Sequence, residues 1–174
     1  MVLVTRLAPG QWPTLRRARL RALEDAPYAF GSTWEEESDR PDEWWMTSTD
    51  SLVWFVAEEA GEPVGLAAGL TPGITGGSPE VISMWVDAAH RGSGVADALL
   101  GALFEWAGGQ GAGALALNVA EDNDRARRFY QKAGFLPTGR RQPLASRPAV
   151  STMELSITLH PEAGHAATPE DRLL

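Results

Sequence analysis

Cysteine is absent from this 174-residue sequence. The chain therefore has no disulfide framework, no thiolate metal site and no cysteine nucleophile. Apolar runs of membrane-spanning length are also missing, and the opening residues 1–6 are too short for a signal peptide. We expect a soluble cytoplasmic protein with no membrane partner and no metal.

Basic residues are outnumbered by acidic ones, and the formal net charge is −8. A nucleic-acid-binding protein gains affinity from clustered lysine and arginine that face the phosphate backbone. The arginine-rich stretch at residues 16–21 would scatter its charges around a helix, and no aromatic platform interleaves it. We therefore expect a solvated helix surface there and no nucleic-acid partner.

The length and the composition, 44% hydrophobic and 22% charged, suit one globular domain. We place that domain at residues 1–160 and expect a disordered tail at residues 161–174, where apolar periodicity is lacking. The sequence pattern predicts strands at residues 2–7, 52–58, 64–70, 81–86, 114–119, 135–140 and 150–159. It predicts helices at residues 10–24, after Pro41, from Val95 to about Gly108, and at residues 124–133, with loops at 26–34 and 71–79.

A glycine turn, Arg-Gly-Ser-Gly-Val-Ala at residues 91–96, joins the fourth strand to a helix. Its glycines let backbone N–H groups approach a ligand, and the start of the helix favours an anion, which indicates a phosphate-bearing cofactor. A dinucleotide-binding motif would need glycine where Asp97 stands, and the Gly-Lys-Ser/Thr of a P-loop is absent from the chain. Taken alone, the turn is equally compatible with a structural connection.

A second motif follows a short apolar strand. The pattern Asn-x-x-Ala-x-x-x-Tyr-x-x-x-Gly-Phe starts at Asn123 and ends at Phe135, and the turn supplies Arg-x-x-Gly-x-Ala at Arg91, Gly94 and Ala96. In this order and spacing, the two motifs resemble those of the GNAT superfamily of acyl-CoA-dependent N-acyltransferases. The likeness is close over the middle third of the chain, and the flanks share only the order of elements.

This resemblance implies the fold. It is an α/β (α+β) architecture with a mixed, mostly antiparallel seven-stranded sheet flanked by about four helices. The fourth and fifth strands splay apart, and acyl-CoA wedges between them.

The resemblance also implies which residues bind acetyl-CoA. Backbone groups of Met84, Trp85 and Val86 would pair with the pantetheine arm, while their side chains are expected to be core. The pyrophosphate would rest on the turn residues Arg91, Gly92, Ser93, Gly94, Val95, Ala96 and Asp97. Asn123 matches the cofactor-side asparagine of the family and is equally suited to cap the following helix, and the two roles are compatible.

Tyr130 carries the chemistry that the resemblance implies. The reaction moves an acetyl group from a thioester to an amine by direct attack, through a tetrahedral oxyanion, and expels a thiolate. A phenol with a pKa near 10 stays protonated at neutral pH and can donate to a thiolate, whose thiol has a pKa near 8.5, so Tyr130 is the expected general acid. A main-chain N–H at the end of the fourth strand would stabilise the oxyanion. The alternative is a core tyrosine.

The general base is not marked by the family pattern. Family members place a glutamate at positions that hold Asn118 or Ile82 here, and neither residue can accept a proton. Glu80 is a candidate, because strand alternation would put it on the same face as Ile82 and Met84. A solvated strand end is the alternative interpretation of Glu80.

The resemblance implies that the acceptor enters opposite the cofactor, beneath the loop between the first two helices and beside the last hairpin. Phe30 and Trp34 would form an apolar wall, and Glu35 would add a carboxylate that attracts a cationic amine. The same acidic run is typical of a solvated helix face. Arg140 and Arg141 are a further candidate, for an acidic group of the acceptor.

We therefore expect an N-acetyltransferase that uses acetyl-CoA and a primary amine of a small molecule or a protein. The identity of the acceptor and a homodimeric state stay open. A catalytically inactive CoA-binding regulatory module is the alternative, because both family glutamates are missing.

Overall fold

Seven strands form one mixed sheet within residues 1–159, the part of the chain that the computed structural model describes. The strands are β1 (Leu3–Arg6), β2 (Val53–Glu59), β3 (Glu62–Leu70), β4 (Glu80–Val86), β5 (Ala114–Ala120), β6 (Leu136–Leu144) and β7 (Arg147–Thr158). Their order across the sheet is β1-β2-β3-β4-β5-β7-β6. The neighbours β4 and β5 run parallel, and the remaining pairs are antiparallel. The predicted seven-stranded, mostly antiparallel sheet is confirmed.

Helices connect these strands. They are α1 (Trp12–Asp25), α2 (Trp34–Ser38), α3 (Asp42–Ser51), α4 (Pro72–Thr75), α5 (Val95–Gly109) and α6 (Asp124–Lys132). The four longest correspond to the four predicted helices, whereas α4 forms a single turn inside a predicted loop. The predicted tail at residues 161–174 lies outside the described residues. Within the described part of the chain, no helix is long and apolar enough to cross a bilayer.

Apolar side chains fill both faces of the sheet and form two separate clusters. On one face, which we call the α5 face, β-strand residues pack against α5 and α6, with Leu99 and Phe135 fully buried. On the other, the α1 face, they pack against α1 and α3, with Leu15 and Trp45 among the buried residues. Helices therefore cover both faces, which follows from strands whose alternate side chains are apolar on each side.

Two glycines of β3 let α5 lie close to the sheet. A Cβ atom on Gly69 would fall 2.3 Å from the Trp106 ring, and one on Gly65 would fall 2.9 Å from the Leu99 side chain. A larger residue at either position would push α5 away from the sheet. This close contact positions the N-terminus of α5, and with it the glycine turn, beside the end of β4.

The β6–β7 hairpin is longer than the sequence predicted. Its pairing is irregular around Gly139, which has a φ of +89°, and its tip crosses to the loop between α1 and α2. There the Ser146 hydroxyl donates to the Phe30 carbonyl, and Arg147 Nη2 donates to the Tyr28 carbonyl at 2.7 Å. The hairpin tip therefore holds that loop in place.

Candidate active site

The strands β4 and β5 pair only at their N-terminal ends. Glu80 lies opposite Ala116 and Val81 opposite Leu117, and the register contains no further pair between these two strands. Beyond this point β4 continues to Val86, while β5 remains paired with β7 as far as its end. The two strands open into a cleft, which is the splay that the resemblance implied.

Ser83 interrupts the alternation of β4. Its φ of +57° is in the left-handed region, which residues other than glycine rarely adopt. The register with β3 shifts between Leu66 and Ala68, so that Ser83 and Met84 together face a single residue. This arrangement is a β-bulge. As a result, Ile82 packs on the α1 face and Met84 on the α5 face.

Glu80 lies on the α1 face, at the closed end of the cleft. It shares this face with Ile82, as predicted, but the prediction that it also shares a face with Met84 is wrong because of the bulge. Asn118 on β5 points to the same side, since its neighbour Leu117 enters the α5-face cluster. Its amide donates to Glu80 Oε1 at 2.8 Å in a partly buried hydrogen bond. Asn118 therefore fixes the Glu80 carboxylate in place.

A cavity of about 490 Å³ opens beside the C-terminal half of β4. Most of the predicted cofactor residues line it, together with Tyr130: Met84, Trp85, Val86, Arg91, Gly92, Gly94, Ala96, Asp97 and Asn123. Two turn residues do not. Ser93 donates its hydroxyl to the His90 carbonyl at 2.6 Å, and the Val95 side chain is buried in the α5-face cluster. We call this space the β4 cavity.

The β4 cavity also has walls that the sequence analysis missed. Tyr28 and its neighbours come from the loop after α1, and the exposed residues Arg125 and Lys132 come from α6. Both cations lie within the second motif, so their positive charge could have indicated from the sequence that they border the site of an anionic ligand. The position of Tyr28 depends on the contact of its carbonyl with Arg147, which lies 119 residues further along the chain and leaves no local signal.

The glycine turn has the geometry of an anion site. Gly92 and Gly94 have φ values of +82° and +89°, which favour glycine. No atom lies within 4 Å of the Cβ position of either residue, so the space in front of both is open. Gly94 is the N-cap of the 15-residue helix α5, whose first N–H groups have no intrahelical partners. A phosphate group therefore fits this end of the cavity.

Arg91 uses its side chain to hold the turn. Its Nε donates to the Val86 carbonyl at 3.0 Å, and its Nη2 forms an ion pair with Asp25. Asp25 also accepts a hydrogen bond of 2.9 Å from the Trp85 indole. These contacts fasten the turn to the end of β4 and to the end of α1.

Tyr130 on α6 is the buried titratable group of the β4 cavity. Its side chain is 6% exposed, and its ring packs edge-on against Phe129 and Phe135 at centroid distances of 5.2 and 5.7 Å. No hydrogen bond joins its hydroxyl to another residue among 1–159. Burial raises the pKa of Tyr130 well above its ordinary value, because the charged phenolate loses hydration. The hydroxyl is therefore protonated at neutral pH.

Asn123 caps α6. Its Oδ1 accepts a hydrogen bond of 3.1 Å from the Ala126 N–H, so the capping role is confirmed. The same residue lines the β4 cavity, which leaves its predicted role towards the cofactor compatible with the structure.

The three residues predicted to bind the acceptor lie apart from the β4 cavity. Phe30 is 5% exposed, and the Arg19 guanidinium lies 4.6 Å from its ring centroid. Trp34 and Glu35 line a separate surface cavity between α1 and α2. Their neighbour Glu36 has a structural role, because it forms a capping box with Thr33 at the start of α2. The other basic candidates, Arg140 and Arg141, form ion pairs with Glu154 and Glu121.

A buried ion pair supports the bulge from the α1 face. Arg19 and Glu37 are 8% and 5% exposed, and Arg19 Nη2 lies 2.9 Å from Glu37 Oε1. Arg19 also donates to the Ser83 hydroxyl at 3.1 Å and to the Ser32 hydroxyl at 2.9 Å. Because all four residues are linked, the bulge, α1 and α2 are held as one unit.

Comparison with known proteins agrees with this geometry. The model of the Acetyltransferase (GNAT) family matches residues 16–135. No curated protein matches the sequence significantly.

Solved structures share the fold. The acetyltransferase of the GNAT family from Streptococcus pneumoniae has a TM-score of 0.74 at 16% identity, covering 92% of this chain and 100% of that chain. The N-acetyltransferase from Staphylococcus aureus Mu50 has a TM-score of 0.68 at 20% identity, covering 92% and 99%. The ribosomal-protein-S18-alanine N-acetyltransferase from Escherichia coli has a TM-score of 0.63 at 16% identity, covering 97% and 99%.

The matched region covers more than half of the chain. It contains both motifs, from the turn at Arg91 to Phe135, and every strand from β2 to β5. The chain belongs to the GNAT acetyltransferase family, a family of acyltransferases that use acyl-CoA as cosubstrate.

Proposed function

We propose that the protein is an N-acetyltransferase that transfers the acetyl group of acetyl-CoA to a primary amine by direct attack. The observation that carries this proposal is the protonated hydroxyl of Tyr130, a buried residue that lines the β4 cavity beside the open ends of two splayed strands. Tyr130 makes no hydrogen bond to another described residue through its hydroxyl, so that group is available to donate to a ligand in the cavity.

The β4 cavity offers matching groups along its length. Met84, Trp85 and Val86 have no partner on β5 in the strand register. Their backbone groups on that edge of β4 would bond to the amides of the pantetheine arm, as a strand would. The turn at Gly92 and Gly94, with the start of α5, would take the pyrophosphate. Arg125 and Lys132 add positive charge at the rim for a polyanionic ligand.

Acetyl-CoA supplies an activated acyl group as a thioester. Tyr130 holds a proton at neutral pH, and this proton can pass to the thiolate as the carbon–sulfur bond breaks. A main-chain N–H near the β4 bulge, in the segment from Ser83 to Val86, would stabilise negative charge on the acetyl oxygen during attack.

Glu80 is the proposed proton acceptor for the amine. It lies on the α1 face of the cleft, opposite the cluster that contains Tyr130, so a base and an acid would act from opposite sides. Asn118 holds the Glu80 carboxylate, and either direct contact or one water would connect it to the amine. The demand on this base depends on the acceptor. At pH 7 a lysine-like amine costs about 4.6 kcal/mol to deprotonate, and an α-amine about 1.

A thiol-release assay with acetyl-CoA and a panel of primary amines tests this proposal. We expect release that depends on at least one amine, with the acetylated amine identified by mass spectrometry. If calorimetry shows acetyl-CoA binding but no amine gives a product, the CoA-binding regulatory module becomes the correct description.

A further inference from the structure

A second cavity of about 180 Å³ lies on the α1 face, directly behind the β4 bulge. Three tryptophans line it, Trp44 and Trp45 from α3 and Trp54 from β2, together with Ile82 and Ser83 of β4. The Trp44 and Trp45 rings meet edge to face, with centroids 4.8 Å apart and planes at 85°. We call this space the tryptophan pocket.

One residue in the wall of the tryptophan pocket has an indole N–H without a hydrogen-bond partner. Trp45 is 1% exposed, and its indole N–H is buried and unpaired among the described residues. Trp54 differs, because its indole N–H donates to the Ser48 carbonyl at 3.0 Å. The Trp45 N–H has almost no accessible surface, so it lies behind the wall of the pocket, where an occupant would not reach it.

Arg19 supplies a donor in the wall of the tryptophan pocket. Its guanidinium has five N–H groups. Four of them bond to Glu37, Ser32 and Ser83: Nε to Glu37, Nη2 to Glu37 and Ser32, and Nη1 to Ser83. One Nη1 hydrogen is left over in the part of the chain that the structure describes. The Glu37 carboxylate is already neutralised by Arg19, so the pocket offers a donor and apolar surface rather than a free negative charge.

The size of the pocket limits its occupant. A cavity of about 150 Å³ lined by apolar side chains holds a benzene molecule. A cavity of about 180 Å³ therefore accommodates a phenyl ring or a branched aliphatic group, with room for one oxygen that accepts from Arg19.

The bulge places this pocket next to the β4 cavity. Ser83 lines the tryptophan pocket, and the next residue, Met84, lines the β4 cavity on the other side of the strand. An amine whose body occupies the pocket would approach the acyl group from the α1 face, where Glu80 also lies.

We propose that the tryptophan pocket binds the body of the acceptor. The acceptor is a primary amine that carries a ring-sized apolar group and an oxygen that accepts hydrogen bonds. This inference rests on the proposed acetyltransferase activity.

Two α-amino amides serve as probes, because both carry a carbonyl oxygen and differ mainly in the apolar group. We expect phenylalaninamide to have a kcat/KM about tenfold or more above that of glycinamide, since a filled apolar pocket discriminates by this order. Ser48→Leu would place a leucine in the pocket and should remove most of that preference. Thr47→Leu makes a comparable change at the neighbouring exposed position of α3 and should keep the preference. Melting temperatures establish that both variants fold.

Calorimetric titration of phenylalaninamide without acetyl-CoA measures binding apart from catalysis.

These measurements separate the two proposals. Thiol release with equal kcat/KM for both amides, unaffected by Ser48→Leu, would overturn the pocket and retain the acetyltransferase. Binding of phenylalaninamide that Ser48→Leu abolishes, without thiol release from any amine, would retain the pocket as a ligand site and overturn the activity. If neither binding nor thiol release occurs, both proposals are overturned.

Discussion

Asn118 on β5 donates its side-chain amide to Glu80 on β4 at 2.8 Å, across the short stretch where these two strands are parallel neighbours. The resembled family pattern has a glutamate at the Asn118 position in some members. Here the carboxylate is on the facing strand, and the asparagine orients it. This hydrogen bond therefore holds Glu80, the candidate base, at the closed end of the cleft.

Glu80→Gln tests the proton-accepting role. Glutamine keeps an oxygen that accepts from Asn118 but cannot take a proton at neutral pH. Turnover of a lysine-like amine should fall at pH 7 and recover as the pH approaches the amine's pKa of about 10.4, where the free amine no longer needs a base. The measurement is kcat/KM against pH for wild type and variant. A parallel loss at every pH would show a structural or binding role instead.

Gly94→Val tests the anion site at the turn. A branched side chain at a φ of +89° would be strained and would occupy the open space in front of the helix. We expect acetyl-CoA affinity to fall about tenfold or more, or about 1.4 kcal/mol, by calorimetric titration. Gly76→Val is the matched control, since Gly76 also has a positive φ of +70° and an open Cβ position but lies after α4, away from the β4 cavity. Unchanged affinity in a folded Gly94→Val protein would remove the turn from the cofactor site.

The buried Arg19–Glu37 pair predicts a large loss of stability when one partner is removed. Glu37→Gln leaves the Arg19 charge buried without a counter-ion, and such changes cost about 3–5 kcal/mol. Glu154→Gln is the control, because Glu154 pairs with Arg140, whose side chain is 81% exposed, and such pairs contribute about 1 kcal/mol or less. Urea denaturation gives the free energy of unfolding of each variant. Equal losses for the two variants would contradict the role of the buried pair.

The contacts of His90 predict a contribution to the free energy of unfolding that depends on pH. Its Nε2 lies 3.0 Å from Glu59 Oε2 and its Nδ1 lies 3.3 Å from Asp87 Oδ1, and these hydrogen bonds, first that with Glu59, raise the pKa of His90. The other charged groups of the cluster are Arg21, paired with Asp87, and the Met1 amine, paired with Glu59. Because the folded pKa is above the unfolded value, the stabilisation is fully present below about pH 6.5 and is lost as the pH rises through the folded pKa.

His90→Gln checks this direction. The melting temperature of the wild type should exceed that of the variant by a larger margin at about pH 6 than at about pH 9, since only the protonated imidazole pairs with both carboxylates. A margin that is the same at both pH values would show that the imidazole charge does not contribute.

The central third of the fold could be predicted because its signals are local. The strand before the turn, the left-handed glycines and the apolar face of α5 each leave a pattern within about fifteen residues, and so does the N-cap Asn123. The same is true of Tyr130, whose burial follows from its place on the inner face of α6.

The contacts on the α1 face beside β4 could not be predicted, because they join distant segments. Glu37 looked like part of a solvated acidic run, yet it pairs with Arg19, 18 residues earlier and on another helix. Ser83 adopts a left-handed backbone that strand alternation cannot reveal, since serine has no local preference for it. Glu37 and Ser83 both line the tryptophan pocket, together with residues of α3 and β2. Because these segments are far apart in the sequence, no local pattern indicates the pocket.

The turnover of Tyr130→Phe tests the central claim most directly. The substitution removes one hydroxyl, while the ring contacts with Phe129 and Phe135 remain. Melting temperature and acetyl-CoA affinity, measured on the same sample, establish that the variant folds and binds. If Tyr130 is the general acid and chemistry limits the rate, kcat should fall by about 10²–10⁴-fold, or about 3–5 kcal/mol of barrier. A stable variant that binds acetyl-CoA and keeps more than about half of the wild-type kcat would contradict the account, because a loss that small is below what a general acid contributes.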